Sequence, residues 1–363
     1  MDAALRRAAR MPQILAIGRR RRSFISMRNA LSAAGAMPKK EEGLPMENEI
    51  LMQVSDLRVY YKGRHRNDPP VKAVDGVNLS IMRGETLGVV GESGCGKSTL
   101  GRTMLRLIEP TDGRIMLEGK ELSAMKDGEL KQMRKQAQMI FQDPSACLNP
   151  RRTVRQILTE PFLIHGMQKS VDINAHILGL LQLVGMEEYH LSRYPHELSG
   201  GQKQRIGIAR ALALEPKLIV CDEAVSALDV SIQAQVLNLL QELKRKLSLT
   251  YVFISHNLNV VYQVSDRVAV MYLGRIVELA DCDTLFERYA HPYTEVLLSA
   301  IPQINSDASA RRIHLQGEVP NPADPPRGCH FHPRCPKACE QCRLQEPLPH
   351  ELEPGHFVAC HLA

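Results

Sequence analysis

Gly91-Glu92-Ser93-Gly94-Cys95-Gly96-Lys97-Ser98-Thr99 is a glycine-rich run ending in Lys-Ser-Thr within a chain of 363 residues. The apolar run Glu85–Val90 precedes it, and a helical spacing from Lys97 to Ile108 follows. Strand, glycine-rich loop and helix in that order curl backbone N–H groups around a phosphate at a helix N-terminus. Gly91, Ser93, Gly94, Cys95 and Gly96 form the cradle, closed by Ser98 and Thr99. Lys97 is placed to reach the β- and γ-phosphates of a nucleotide, and the Ser98 hydroxyl to bind Mg2+. Cys95, at a variable loop position, reads as a small filler rather than a nucleophile. A bare strand-to-helix turn is the plainer alternative.

Working outward, Leu218-Ile219-Val220-Cys221-Asp222-Glu223 is an apolar strand that ends in two acids. Asp222 suits a water-mediated hold on Mg2+, and Glu223 suits a base that orients or deprotonates the attacking water. A pair of acids after a strand is also what a helix N-cap looks like. Leu51–Tyr61 and Val71–Ile81 read as strands split by a polar loop, and Gly113–Glu118 and Ala137–Phe141 as further strands. Residues 153–190 read as mostly helical, Gln202–Leu214 and Ser231–Leu247 as helices, and Thr250–Ser255 as a strand. Val268–Tyr272 and Arg275–Glu278 read as a hairpin turning at Gly274. Strand and helix alternate, which argues for a parallel sheet covered on both faces.

Composition narrows the function classes. Hydrophobic residues at 44% and charged residues at 24% mark a folded globular chain. No stretch approaches the ~18 apolar residues that cross a bilayer, so a membrane role requires a partner. The net charge is +6, but residues 1–40 carry ten Lys/Arg against Asp2 alone, which leaves residues 41–363 at −3. With 4% aromatic residues and no Trp, a nucleic-acid surface is not indicated. Residues 1–47 read as a basic, disordered tail. A transit peptide and translation from an upstream start codon are its two alternatives.

Leu198-Ser199-Gly200-Gly201-Gln202 stands just before a helix. A simple P-loop kinase or GTPase has no use for this second glycine-rich helix start. The pentapeptide resembles the signature of the ATP-binding cassette (ABC) family. Physically it is another anion cradle, built of a serine hydroxyl, glycine amides and a helix N-terminus. The resemblance implies that Ser199, Gly200, Gly201 and Gln202 cap the γ-phosphate bound by an opposite subunit, so that two ATP lie in a head-to-tail sandwich of cassettes. It assigns Gln142, in Phe141-Gln142-Asp143-Pro144, to metal and water at the junction with a helical subdomain. Asp229, in Ser226-Ala227-Leu228-Asp229, falls on the loop that crosses the dimer interface. His256 matches the histidine that holds the γ-phosphate and Glu223. Tyr61 matches the aromatic stacked on adenine, or else is a strand aromatic in the core. Two positions depart from the family pattern. Ala224 stands where proline is usual, and Asn257 where aspartate is usual.

The resemblance sharpens at Ser145-Ala146-Cys147-Leu148-Asn149-Pro150-Arg151 and Ala290-His291-Pro292-Tyr293-Thr294, which are similar to the dipeptide/oligopeptide importer ATPases, most of all the second of the paired ATPases. It implies an α/β P-loop cassette at residues 48–285, with a mainly parallel core sheet, an antiparallel β subdomain and an inserted helical subdomain at about 143–210. A Cys-rich, loop-heavy extension would follow at residues 286–363. The implied role is ATP hydrolysis that energises peptide import from the cytoplasmic face of the membrane. The implied partners are a paralogous ATPase or a second copy, two permeases, and a periplasmic or extracellular solute-binding protein. Nickel or another peptide-like solute is the alternative cargo. A soluble ABC ATPase acting on ribosomes or DNA is opposed by the single cassette and the short gap between nucleotide motifs. Cys329, Cys335, Cys342 and Cys360 match the cysteines of the family tail, and Cys339 is extra. A [4Fe–4S] cluster, zinc and plain thiols are the three readings.

Overall fold

In Leu87–Val90 and its neighbours the side chains alternate between two separate cores, which is how a sheet buried on both faces is built. The computed structural model describes residues 49–63, 65, 68–167, 171–301, 313, 315 and 317–363. The basic tail expected at residues 1–47 lies outside the described residues.

The strands are β1 (Ile50–Tyr61), β2 (Val71–Met82), β3 (Thr86–Val90), β4 (Asp112–Leu117), β5 (Lys120–Glu121), β6 (Ala137–Ile140), β7 (Leu218–Asp222), β8 (Thr250–Ile254), β9 (Arg267–Tyr272), β10 (Arg275–Asp281), β11 (His350–Glu353) and β12 (His356–Val358). They form an antiparallel sheet in the order β2-β1-β4-β5 and an eight-stranded sheet in the order β11-β12-β10-β9-β3-β8-β7-β6. Strands β9, β3, β8, β7 and β6 run parallel, and β10, β12 and β11 add antiparallel pairs at one end. Leu87, Val89, Val220, Val252, Ile254 and Met271 point into the core shared with the antiparallel sheet. Val90, Ile219, Cys221, Phe253, Val268 and Tyr272 point into the opposite core.

The helices are α1 (Lys97–Met104), α2 (Asp127–Met133), α3 (Pro144–Cys147), α4 (Val154–Ile164), α5 (Ile173–Leu183), α6 (Gly200–Leu212), α7 (Val230–Leu247), α8 (Leu258–Val264), α9 (Cys282–Arg288), α10 (Pro292–Ser299) and α11 (Glu340–Leu344). Helix α1 stops four residues short of the Ile108 expected from apolar spacing. Arg106 turns into left-handed backbone at φ +50°, and its guanidinium reaches the carbonyl of Leu122 at 2.8 Å. Between β6 and β7 the chain carries α3 to α6. Thr153 and Gln156 cap α4 reciprocally, and Asp172 caps α5.

The sheets are fastened where Asp75 of β2 meets β10. Asp75 accepts the Tyr60 hydroxyl at 2.5 Å and the Arg275 guanidinium at 2.8 Å. Burial and the adjoining Asp75 push the Tyr60 phenol up to about 12.

The C-terminal part is less loop-like than its proline and cysteine content predicts, because β12 pairs with β10 and carries β11 with it. The short runs His350–Glu353 and His356–Val358 lack the length of an independent strand signal. A buried carboxylate fixes this docking. Glu278 of β10 accepts the backbone N–H of Ala290 at 2.6 Å and of His291 at 3.0 Å, and lies 2.8 Å from His356 Nε2. That hydrogen bond raises the His356 pKa, so its stabilisation is present below the ordinary histidine value of ~6.5 and is lost as pH rises through the raised folded value. Buried His291 and His330, each pushed down to about 4 by desolvation, act with the opposite sign. A His356→Gln variant isolates the first effect. The wild type is expected to melt higher than His356→Gln near pH 6, with the gap closing as the pH approaches 9. A gap that stays constant across that range would contradict the assignment.

Candidate active site

Parallel neighbours β3, β8, β7 and β6 all end at one edge of the sheet, and each releases a polar residue there. After β3 the phosphate loop begins. Gly96 has φ +104°, and a Cβ on it would strike the carbonyl oxygen of Ala73. Gly91 is equally closed to a side chain by the carbonyl of Met271. The loop therefore tolerates glycine alone at both positions. Gly96 is the residue before α1, so the first N–H groups of that helix face the loop. Lys97 is buried, and its Nζ donates to the carbonyls of Gly91 and Glu92, each at 2.8 Å. These carbonyls hold the ammonium inside the ring of residues 91–97. Cys95 is buried beside it, with Sγ 3.7 Å from Lys97 Nζ. Desolvation raises the thiol pKa, in keeping with a filler.

Asp222 ends β7 with 1% of its surface exposed. Its Oδ1 accepts the Ser98 hydroxyl at 2.7 Å, and its Oδ2 lies 3.4 Å from Arg102 Nη2. Arg102 was not singled out from the sequence. The signal was its position four residues after Ser98 on the same face of α1. Ser98 and Asp222 present hard oxygen donors, which suits Mg2+, an ion that takes one or two protein ligands beside substrate phosphates.

Glu223 sits in left-handed backbone at φ +47°, a conformation that costs about 1–2 kcal/mol for a residue with a Cβ. Its N–H donates to the Ile254 carbonyl at 3.0 Å, and its own carbonyl accepts from the N–H and hydroxyl of Ser226 at 3.1 and 3.0 Å. The turn aims the carboxylate between the ends of the two flanking strands. Gln142 Nε2, two residues past β6, donates to Glu223 Oε2 at 2.8 Å. His256 Nδ1, two residues past β8, lies 3.3 Å from Glu223 Oε1. The imidazole is 58% exposed, so it faces outward from this edge.

Other expected residues stand apart from this cluster. Ser199 caps α6, accepting the Gln202 N–H at 3.3 Å while Gln202 Oε1 accepts the Ser199 N–H at 2.9 Å. Gly200 is exposed, while Gly201 is buried, and a Cβ there would meet Ile232 at 2.6 Å. Asp229 caps α7 through the Ile232 N–H at 3.0 Å. Tyr61 is 41% exposed at the end of β1, which removes the core reading. Both departures from the family pattern have structural roles. Ala224 is buried in the core. Asn257 caps α8, its Oδ1 accepting from Asn259 and Val260 N–H at 3.1 and 3.5 Å.

Among the described residues no three His, Cys, Asp or Glu side chains are gathered as metal ligands. Cys329, Cys335, Cys342 and Cys360 lie in the same module, where the other three act electrostatically on Cys329 and burial pushes its thiol up to about 11. The closest thiol contact is instead Cys339 with Cys342, at 3.4 Å between sulfurs. Cys339 is the cysteine that the expected ligand set left out.

Two family models match, "ABC transporter" over residues 74–226 and "Oligopeptide/dipeptide transporter, C-terminal region" over residues 277–342. The chain is similar to the oligopeptide transport ATP-binding protein AppF of Bacillus subtilis, with 53% identity over 321 residues spanning 86% of this chain and 98% of the relative. It is 49% identical over 319 residues to a probable peptide ABC transporter ATP-binding protein, y4tS, of Sinorhizobium fredii, covering 87% and 90% of the two chains. The cassette MJ0796, solved as a post-hydrolysis dimer bound to ADP and Pi, superposes with a TM-score of 0.57 at 27% identity, over 64% of this chain and 98% of that one. CbiO1 of Clostridium perfringens, part of the ABC transporter complex cbiONQ, does so with the same TM-score and identity over 67% and 92%.

The role of Asn257 is open to a direct check. Asn257→Ala removes the acceptor for two helix N–H groups and is expected to cost about 1 kcal/mol, a fall in Tm of about 1–2 °C. Asn257→Asp, which keeps an acceptor, is expected to melt like the wild type in scanning calorimetry.

Proposed function

The chain belongs to the ATP-binding subunits of oligopeptide ABC transporters, and we propose that it hydrolyses ATP to drive import of dipeptides or oligopeptides across the cytoplasmic membrane. The observation that carries the catalytic half is Glu223 held between Gln142 and His256 beside the Ser98–Asp222 pair. The peptide half rests on the match of residues 277–342 to the oligopeptide-transporter C-terminal region.

In this reading residues 48–285 are the cassette and residues 286–363 the extension. Gly91, Ser93, Gly94, Cys95, Gly96, Ser98 and Thr99 cradle the phosphates of ATP, and Tyr61 lies against adenine. Lys97 exchanges its two loop carbonyls for phosphate oxygens, keeping its ammonium satisfied in either state. Ser98, Asp222 and Gln142 would hold Mg2+, whose charge would offset that on the phosphates. Glu223 takes a proton from water as the water oxygen bonds to the γ-phosphorus and the bond to the ADP oxygen breaks. The Gln142 amide on one carboxylate oxygen and His256 near the other fix the plane of the carboxylate that receives the proton. His256 steadies the γ-phosphate from the neighbouring strand end. Apart from that proton transfer, the contributions of these residues are positional and electrostatic.

Ser199, Gly200, Gly201 and Gln202 serve a second cassette, either a paralogue or another copy. Ser199 spends its oxygen on capping α6 and keeps its own O–H as a donor for a γ-phosphate. Asp229 stands at the same interface. Among the described residues no helix is long and apolar enough to cross a membrane. The proposed place is therefore peripheral, on the cytoplasmic face, against two permeases served by a solute-binding protein.

The test is MgATP-dependent uptake of labelled oligopeptide into proteoliposomes holding the permeases, the paired ATPase and this chain. Glu223→Gln should retain ATP binding and lower turnover by about 100-fold or more. Lys97→Ala should weaken both. Hydrolysis by Glu223→Gln at the wild-type rate would refute the assignment of the base.

A further inference from the structure

Glu92, the second residue of the phosphate loop, is held by residues 201 and 242 positions further along the chain. Tyr293 of α10 accepts its backbone N–H at the phenolic oxygen, at 2.8 Å. Arg334, in the short turn His332–Arg334, grips its carboxylate with both guanidinium arms, Nη1 to Oε2 at 2.7 Å and Nη2 to Oε1 at 3.0 Å. The carbonyl of the same residue accepts Lys97 Nζ at 2.8 Å. One loop residue thus joins the C-terminal extension to the lysine of the phosphate site.

The arginine is built into its place. Its side chain is 8% exposed, and Nη1 also reaches the Tyr272 hydroxyl at 3.4 Å. Phe331, three residues earlier, is fully buried between Tyr272 and Tyr293, with ring centroids 5.2 and 5.3 Å away. This aromatic plug fixes the direction from which the guanidinium arrives. The planar fork matches a carboxylate in two-point geometry, which a lysine does not do.

The chemistry gives the contact a purpose. Residues 91–99 make an anion site, yet one of them, Glu92, carries a carboxylate. An uncompensated negative charge there opposes every phosphate that enters. We propose that Arg334 is a positioning residue of the nucleotide site, which acts through Glu92: it cancels the carboxylate charge while Tyr293 holds the loop backbone. The C-terminal extension is thereby a working part of phosphate binding, distinct from its matching to peptide transporters. The inference rests on the reading of residues 91–99 as the phosphate cradle.

The experiment titrates the full-length chain with a fluorescent ATP analogue and Mg2+. Arg334→Ala is expected to weaken binding about fivefold or more, because it bares the Glu92 charge. Adding Glu92→Ala to it is expected to bring affinity back to within about twofold of the wild type. Glu92→Gln alone removes the loop's negative charge and leaves the arginine cation next to residue 92, so it should bind as tightly as the wild type or tighter, and it serves if Arg334→Ala fails to fold. Unchanged affinity in a folded Arg334→Ala overturns the proposal. So does a double variant as weak as the single one, which a purely packing role would produce, or several-fold weakening by Glu92→Gln. Absence of binding by the wild type would instead overturn the reading of the loop itself.

Discussion

The hydrogen bond from Ser98 to the buried carboxylate of Asp222 joins the two halves of the site, and the rest of the edge is arranged around it. It links the first turn of α1 to the end of β7, strands and helix that are 124 residues apart in sequence. A carboxylate removed from water needs partners, and Asp222 finds the hydroxyl on one oxygen and Arg102 near the other. Because β7 lies next to β8 and β6, fixing its end also fixes the distances to His256 and Gln142. Parallel strands about 4.8 Å apart deliver residues at that spacing without further adjustment.

Charge in the site is balanced locally. Lys97 is satisfied by two loop carbonyls, Glu92 by Arg334, and Asp222 by Ser98 and Arg102. A phosphate group entering the loop meets backbone N–H groups and a helix N-terminus, whose partial positive charge is fixed in direction and needs no rearrangement. Glu223 is the exception to relaxed geometry. Its left-handed backbone is over-determined by bonds to Ile254 and Ser226, so the turn can hold the strain that aims the carboxylate.

The C-terminal module is tied to the cassette by polar groups, one pair buried on both sides and the other on one. Glu278 collects two backbone N–H groups and His356, and Arg334 and Tyr293 meet the phosphate loop. Such contacts are specific because each buried polar group left alone would cost more than its bond contributes. The cysteines of the module also act on one another. Cys339 and Cys342 approach to 3.4 Å between sulfurs, and Cys335, Cys342 and Cys360 act electrostatically on Cys329.

The amino-acid order alone determined the phosphate loop, the strand that ends in Asp222 and Glu223, and the helices beginning near Gln202 and Ser231. Each is a local pattern: glycines where backbone closes on itself, apolar residues at helical spacing, an apolar run of strand length. The parallel sheet was legible for the same reason, since alternating strand and helix signals leave few ways to cover both faces. Three things were decided only by tertiary structure. Helix α1 ends early because Arg106 finds carbonyls near residue 122, the tail gains β11 and β12 because β10 offers an edge, and Glu92 acquires Arg334 as its partner. In each case the two halves of the interaction lie far apart along the chain, and neither half carries a pattern that names the other. Short strands and single ion pairs acquire their identity from the surface that receives them, which exists only once the sheet has formed.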